Sequence, residues 1–336
     1  MAVSELGDIS AIEGWTQPAV KPWLVRMLIG LAKFFRKKPL GAVCGVIVLF
    51  FFIIGDAVPE TINYISDNVG TKVGVHPHVP YLADQLEQEF HFIYPYSKQD
   101  LRARLQGSSS AHILGTDAIG RDIFSRLLYG ARTAVMVSFG GVLINQTIGA
   151  TIGIMAGYYG GWVDKFLYRI VDVFQALPGL VVLITILGIF GSGLWQLIWV
   201  LGIYGGPIQS RVIRGQAVYV MGSPFIEAAR VVGCGDRRIM FRYVLPNVTA
   251  LIILQATVSL GFLVLLEASL SFLGYGLPPP FPDWGQMLSL EGRQYMRTQP
   301  GLSIYPGVAI GILVFSFNLF GDALRDVLDP RLRGSK

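Results

Sequence analysis

Charged side chains are absent from five long stretches of the chain: Pro39 to Gly55, Thr133 to Val163, Val173 to Ser210, Tyr243 to Leu266 and Thr298 to Gly321. A helix needs roughly 20 apolar residues to cross a bilayer core of about 30 Å. The stretch from Val173 to Ser210 is too long for one helix, and Gly191-Ser192-Gly193 divides it, because glycine is a poor helix former. The pattern therefore predicts six spans, at about 39–56, 133–157, 166–190, 194–209, 247–271 and 302–321. Gly149, Gly153 and Gly157 recur every four residues in the second span, Gly41 and Gly45 in the first, Gly307 and Gly311 in the sixth. Such small-residue faces let another helix backbone approach closely.

Composition agrees. Of 336 residues, 52% are hydrophobic and 15% charged, where a soluble domain carries about 25% charge. Orientation follows from Lys33, Arg36, Lys37 and Lys38, just before the first span, because basic residues near spans stay in the cytoplasm. Six spans then return the C-terminus to the same side. With that orientation the inner segments hold 18 Lys and Arg against 10 Asp and Glu, and the outer segments 9 against 11. The net charge of +5 thus reflects basic inner loops and gives no reason to expect nucleic acid, since no aromatic-basic platform accompanies it. Glu5, Asp8 and Glu13 make the N-terminus unlike a signal peptide, so the first span is expected to stay as an anchor. Cys44 and Cys234 are too few for a disulfide framework.

The expected organisation is an all-α membrane protein: a cytoplasmic N-terminal segment (1–38), a first transmembrane helix (39–56), an external loop with an interfacial helix (57–132), a core membrane domain (133–321) and a cytoplasmic tail (322–336). In the first external loop, His76-Pro77-His78 has the residue types of a metal motif, but Pro77 and the absence of nearby cysteine argue against a preformed site, and no metal is expected. From His112 the sequence leads into Ile119, Ile123, Phe124, Leu127 and Leu128 at helical spacing, with Arg121, Asp122, Ser125 and Arg126 opposite. That pattern predicts a short helix lying at the outer surface. A second external loop, 274–300, carries Pro278-Pro279-Pro280 and Pro282, which forbid regular helix.

Between the fourth and fifth spans lies a polar segment, 210–246. Pro224 to Val232 predicts a short helix, with proline and Glu227 suited to its N-terminal turn. Gly233 suits a left-handed helix end. Asp236 is expected to cap a second short helix through Phe241, and Pro246 to mark the turn into the next span.

Glu227-Ala228-Ala229, Gly233 and Leu245-Pro246, at this spacing, resemble the cytoplasmic loop of ABC-importer permeases; Tyr243 stands where that family has an aliphatic residue. Leu114-Gly115-Thr116-Asp117, Gly157-Tyr158-Tyr159-Gly160-Gly161-Trp162, Arg211-Val212-Ile213-Arg214, Glu267-Ala268-Ser269-Leu270-Ser271-Phe272-Leu273-Gly274 and Gly321-Asp322-Ala323-Leu324-Arg325-Asp326 resemble the second permease of the dipeptide/oligopeptide/nickel family. The resemblance implies a type I importer fold and a binding-protein-dependent, ATP-driven importer. Its implied partners are a second homologous permease, two ATPase subunits, an external substrate-binding protein and membrane lipid. Glu227, Ala228, Ala229, Gly233, Leu245 and Pro246 would couple the chain to an ATPase. ATP and magnesium would sit in the ATPases, because this chain has no G-x-x-x-x-G-K-[ST] loop and no cofactor of its own is expected. Di- or oligopeptides lead as cargo, with nickel chelates, glutathione and oligosaccharides as alternatives. A membrane enzyme or a channel is the contrasting reading. An enzyme should show paired carboxylates or histidines at membrane depth, and a channel has no need of the coupling loop. Glu267, an acidic residue within the fifth span and near its outer end, joins Asn145 and Asn318 as candidates for the pathway or its gate, with Gln146 similarly placed.

Overall fold

The computed structural model describes residues 39–51, 53, 94 and 96–328. The first 38 residues, His76, His78, His91 and the C-terminal tail beyond 328 lie outside the described residues. Those described are helical, apart from turns, loops and one isolated bridge between Thr116 and Asp122.

Helix α1 (Pro39–Phe51) is short and apolar. Helix α2 (Ile123–Tyr159) has 37 residues, about 55 Å at ~1.5 Å per residue, so it extends well past a bilayer core. It begins where Asp122 caps it, accepting from the Ser125 N–H at 2.7 Å and from the Ser125 hydroxyl at 2.8 Å. The short surface helix expected around Ile119–Leu128 is therefore largely the first turns of α2.

After Gly160 the chain reverses into α3 (Gly161–Ala176) and then α4 (Gly179–Phe190). These two helices are bent by 87°, which corrects the single straight span expected at 166–190. Pro178 is the cause. It lacks an N–H and pushes Leu177 out of the helical region, to φ −95°, ψ 139°. Helix α5 (Leu194–Met221) runs on through Pro207. The polar segment expected to begin at 210 thus begins as helix.

Helix α6 (Pro224–Val231) follows. The chain then enters α7 (Asp236–Tyr275), 40 residues without an exit. The expected stop at Phe241 is absent. Instead the helix widens into a π turn at Met240–Val244, next to Pro246, which has no N–H to complete an ordinary turn. A second π turn, Ser271–Tyr275, ends α7. Helix α8 (Trp284–Met287) and α9 (Gly301–Leu328) complete the chain. Among the described residues, three helices, α2, α7 and α9, are long and apolar enough to cross a membrane, and the bent α3–α4 pair would make a fourth.

The largest helix pairing is α2 with α5, and the expected glycine face explains it. A methyl at Gly153 would lie 2.7 Å from the Ser210 carbonyl oxygen, and one at Gly157 would lie 2.7 Å from Ala217 Cβ. Gly45 of α1 similarly abuts Phe320 of α9, whereas Gly307 and Gly311 face open space. The apolar interior divides in two. A large core joins α2, α4, α5, α7 and α9 through residues such as Leu187, Leu201, Leu263 and Phe317. A separate small core gathers Tyr158, Ala217, Ile226, Ile239 and Val248 at the end that carries α6.

Candidate functional site

The α6 end is built on one anchor. Ile226 is fully buried in the small core and Ala229 is buried beside it, while Glu227 and Ala228 are exposed. Gly233 ends the helix at φ +84°, the conformation expected of it. Asp236 does not cap the next helix; that position falls to Gly235. Its carboxylate instead accepts a 2.7 Å hydrogen bond from the Tyr158 hydroxyl of α2, and the Arg230 guanidinium lies 5.9 Å from the centre of the same ring. Leu245 and Tyr243 pack against the small core, and Pro246 is exposed. Outward from this anchored frame stand uncovered apolar side chains: Val231 (88% exposed), Val232 (82%), Phe225 and Phe241. An apolar patch left open on a structured element marks a contact surface.

The opposite end, around the proline loop, is closed on itself. Asp117, 1% exposed, accepts from the Ile119 and Arg121 N–H groups and pairs with the Arg121 guanidinium. Arg126 lies 3.7 Å from the same carboxylate, and Arg121 reaches Glu291 at 2.8 Å. The Trp284 indole donates to the Leu127 carbonyl at 2.9 Å. Burial and the nearby Asp117 carboxylate push the Glu291 pKa above its ordinary value, outweighing Arg121 and Arg126. Arg121, Asp122, Ser125 and Arg126 are therefore buried partners, not the solvated face the periodicity gave them. A cavity of about 390 Å³ lies here, lined by Tyr96, Tyr129, Arg132, Phe281 and Pro282 among others.

Glu267 is buried near this end. Ser271 Oγ lies 3.0 Å from its carboxylate and 2.6 Å from that of Asp283, bridging the two. Asp283 also accepts from the Gly285 and Gln286 N–H groups, capping α8. Sequence alone paired Glu267 with nothing. Asn145 and Asn318 do not join it: the Asn145 amide lies against Gly205 of α5, and Asn318 is exposed beside Gly261 of α7. The candidate pathway residues thus sit at three separate places.

Known proteins show the same plan. Residues 149–334 match the family described as "binding-protein-dependent transport system inner membrane component". The chain is 41% identical over 245 residues to the glutathione transport system permease protein GsiD of Pectobacterium atrosepticum, covering 72% of this chain and 81% of that one. It is also 41% identical over 238 residues to the dipeptide transport system permease protein DppC of Alkalihalophilus pseudofirmus, covering 71% and 78%. Among solved structures, an inward-facing MetNI methionine ABC transporter superposes with a TM-score of 0.50 at 21% identity, over 61% of this chain and 96% of the matched chain. At that identity the likeness is one of fold.

Proposed function

The chain belongs to the family of binding-protein-dependent transport system inner membrane components, and from that premise we propose that it forms half of the translocation pathway of an importer for di- or oligopeptides. It is a transport subunit of a multi-pass membrane complex, not an enzyme. Six spans with both termini in the cytoplasm agree with the excess of basic residues on the proposed inner segments. The partners are a second, homologous permease, two ATPase subunits that bind ATP and magnesium, and an external binding protein.

Helix α6, with Glu227, Ala228, Ala229 and Gly233, is the coupling element in this reading, and Leu245 and Pro246 set where α7 leaves it. One observation carries the assignment. A short helix is fixed to α2 and α5 by Ile226, with its Arg230 guanidinium 5.9 Å from the centre of the Tyr158 ring, yet leaves Val231 and Val232 uncovered. That is the form of a lever seated in a partner's cleft. Closure of the ATPases on ATP would then move α7, because α6 is joined to it through only Val232–Gly235.

Glutathione is the second reading, since the dipeptide and glutathione permeases are equally similar to this chain. Uptake of alanyl-alanine and of glutathione by proteoliposomes holding the whole complex separates the two. Gly233→Pro is expected to lose ATPase co-purification while the membrane helices stay folded. Normal uptake and normal co-purification by that variant would sink the coupling role.

A further inference from the structure

The cavity at the proline-loop end, about 390 Å³, falls within the size range of small-molecule sites. Tyr129, Arg132, Thr133 and Met136 follow one another at helical spacing, so one face of α2 makes one of its walls. Another wall is the stretch 277–282, which its prolines keep from closing as helix. Two bonds pin that stretch to α2: the Trp284 indole to the Leu127 carbonyl at 2.9 Å, and the Thr133 hydroxyl to the Pro282 carbonyl at 3.3 Å. Gly193 and Leu194, where α4 gives way to α5, complete the lining.

The lining is aromatic and apolar with two polar handles. Tyr96 stacks on Phe281 at 6.1 Å and meets Tyr129 edge-on at 4.8 Å. Arg132 is the one charged residue among those that line the cavity, and no carboxylate shares the wall with it. The acids of this end are engaged elsewhere: Asp117 and Glu291 by Arg121, Asp283 by Ser271 and the start of α8. The cavity is therefore complementary to an anion. Tyr129 is 5% exposed, yet its hydroxyl has no hydrogen-bond partner among the described residues, where a buried phenol normally finds one. Phe281 and Pro278 are exposed, so the cavity communicates with the surface of the chain.

We infer that this cavity receives the cargo. Arg132 and the Tyr129 hydroxyl donate to the C-terminal carboxylate of a peptide, and Tyr96, Leu277 and Phe281 take up the apolar side chain next to it. The two donors are one helical turn apart on the same face of α2, so both can reach one carboxylate. A guanidinium has five N–H donors in a fork that matches a carboxylate, more than one neighbour engages. An anion joined directly to an apolar group describes a peptide end. A phospholipid shares that chemistry, but its two acyl chains are too large for a cavity of this volume. The inference rests on the peptide reading above, and dipeptides and glutathione alike end in a carboxylate. It adds a place: the end opposite α6, which in the proposed orientation is the side from which cargo arrives.

The test irradiates the complete complex in proteoliposomes with alanyl-photoleucine, a dipeptide whose diazirine bonds to whatever lies beside its apolar side chain. Adducts are expected in the proteolytic fragments that hold 129–136 and 277–282. No adducts there, or adducts that excess alanyl-alanine fails to suppress, overturn the site. Alanyl-alaninamide, which lacks the carboxylate, should suppress them about ten-fold less well than alanyl-alanine; equal potency overturns the proposal. Arg132→Gln should make the two peptides equal competitors. Tyr129→Phe, which removes one hydroxyl and keeps the ring, should weaken alanyl-alanine about five-fold and the amide less. Equal losses for both peptides in both variants would mark a merely structural role and overturn the proposal. Uptake of alanyl-alanine and of glutathione is read separately. Absence of both, with adducts present, overturns the importer reading while the carboxylate site stands; uptake without adducts overturns the site alone.

Discussion

The two ends of this molecule handle exposure in opposite ways. At the proline-loop end, buried charges find their partners within the chain: Asp117 with Arg121 and Arg126, Arg121 with Glu291, Asp283 with Ser271 and the start of α8. At the α6 end, a small core holds a short helix whose outward side chains are apolar and uncovered. Among the described residues, the first end satisfies its buried charges within the chain. The second leaves Val231 and Val232 uncovered, as the proposed contact with another protein requires. If α6 is the coupling element proposed above, the difference has a mechanical meaning, because the energy would enter through the end left uncovered.

The sharpest way to break this comparison is Asp117→Ala. Removing one member of a buried ion pair leaves the others unpaired, at a cost of about 3–5 kcal/mol. Thermal unfolding of the purified complex should show that loss; a change under about 1 kcal/mol would mean that the closed end is not held by its charges. Next is Ile226→Ala, which opens a cavity in the small core and should cost about 2–5 kcal/mol. Its damage should stay local. ATPase co-purification is expected to fail while protease resistance of the proline-loop end is retained, and equal loss at both ends would show that the two cores are one unit.

A smaller effect comes from pH. The Glu291 pKa is raised in the folded chain, so the folded state holds this proton more tightly than the unfolded one. The resulting stability is present below the ordinary value of 4.5 and is lost as pH rises through the raised one. Glu291→Gln should flatten that fall, by at most about 1.4 kcal/mol per pH unit; an unchanged pH profile would remove Glu291 from the account. The smallest effect on stability is expected from Val231→Ser combined with Val232→Ser, within about 0.5 kcal/mol, although ATPase binding should be lost. Retained binding would show that the uncovered face is not the contact.

What could be read in the sequence was local. Helix α6, the turn at Gly233 and the α2 glycine face each depend on residues within a few positions of one another. The break at Pro178 is not anticipated, because the apolar run around it reads as one span and masks the missing N–H. The rest depended on distant partners. Helix α5 continues past 210 with Arg211 and Arg214 paired to Asp172 and Asp164 of α3. The polar residues 121–126 looked solvated because the segments that bury them, near Tyr94–Tyr96 and Pro280–Glu291, lie about 30 residues before and 150 or more after them. Glu267 meets Asp283 through Ser271 for the same reason.

Helix α7 carries one more consequence, for the lengths that related chains can have. It joins Asp236 at one end of the bundle to Glu267 at the other without a break. Inserting a single residue between them would turn one end by about 100° against the other, detaching either Asp236 from Tyr158 or Glu267 from Ser271 and Asp283. Insertions and deletions in this stretch should therefore be purged.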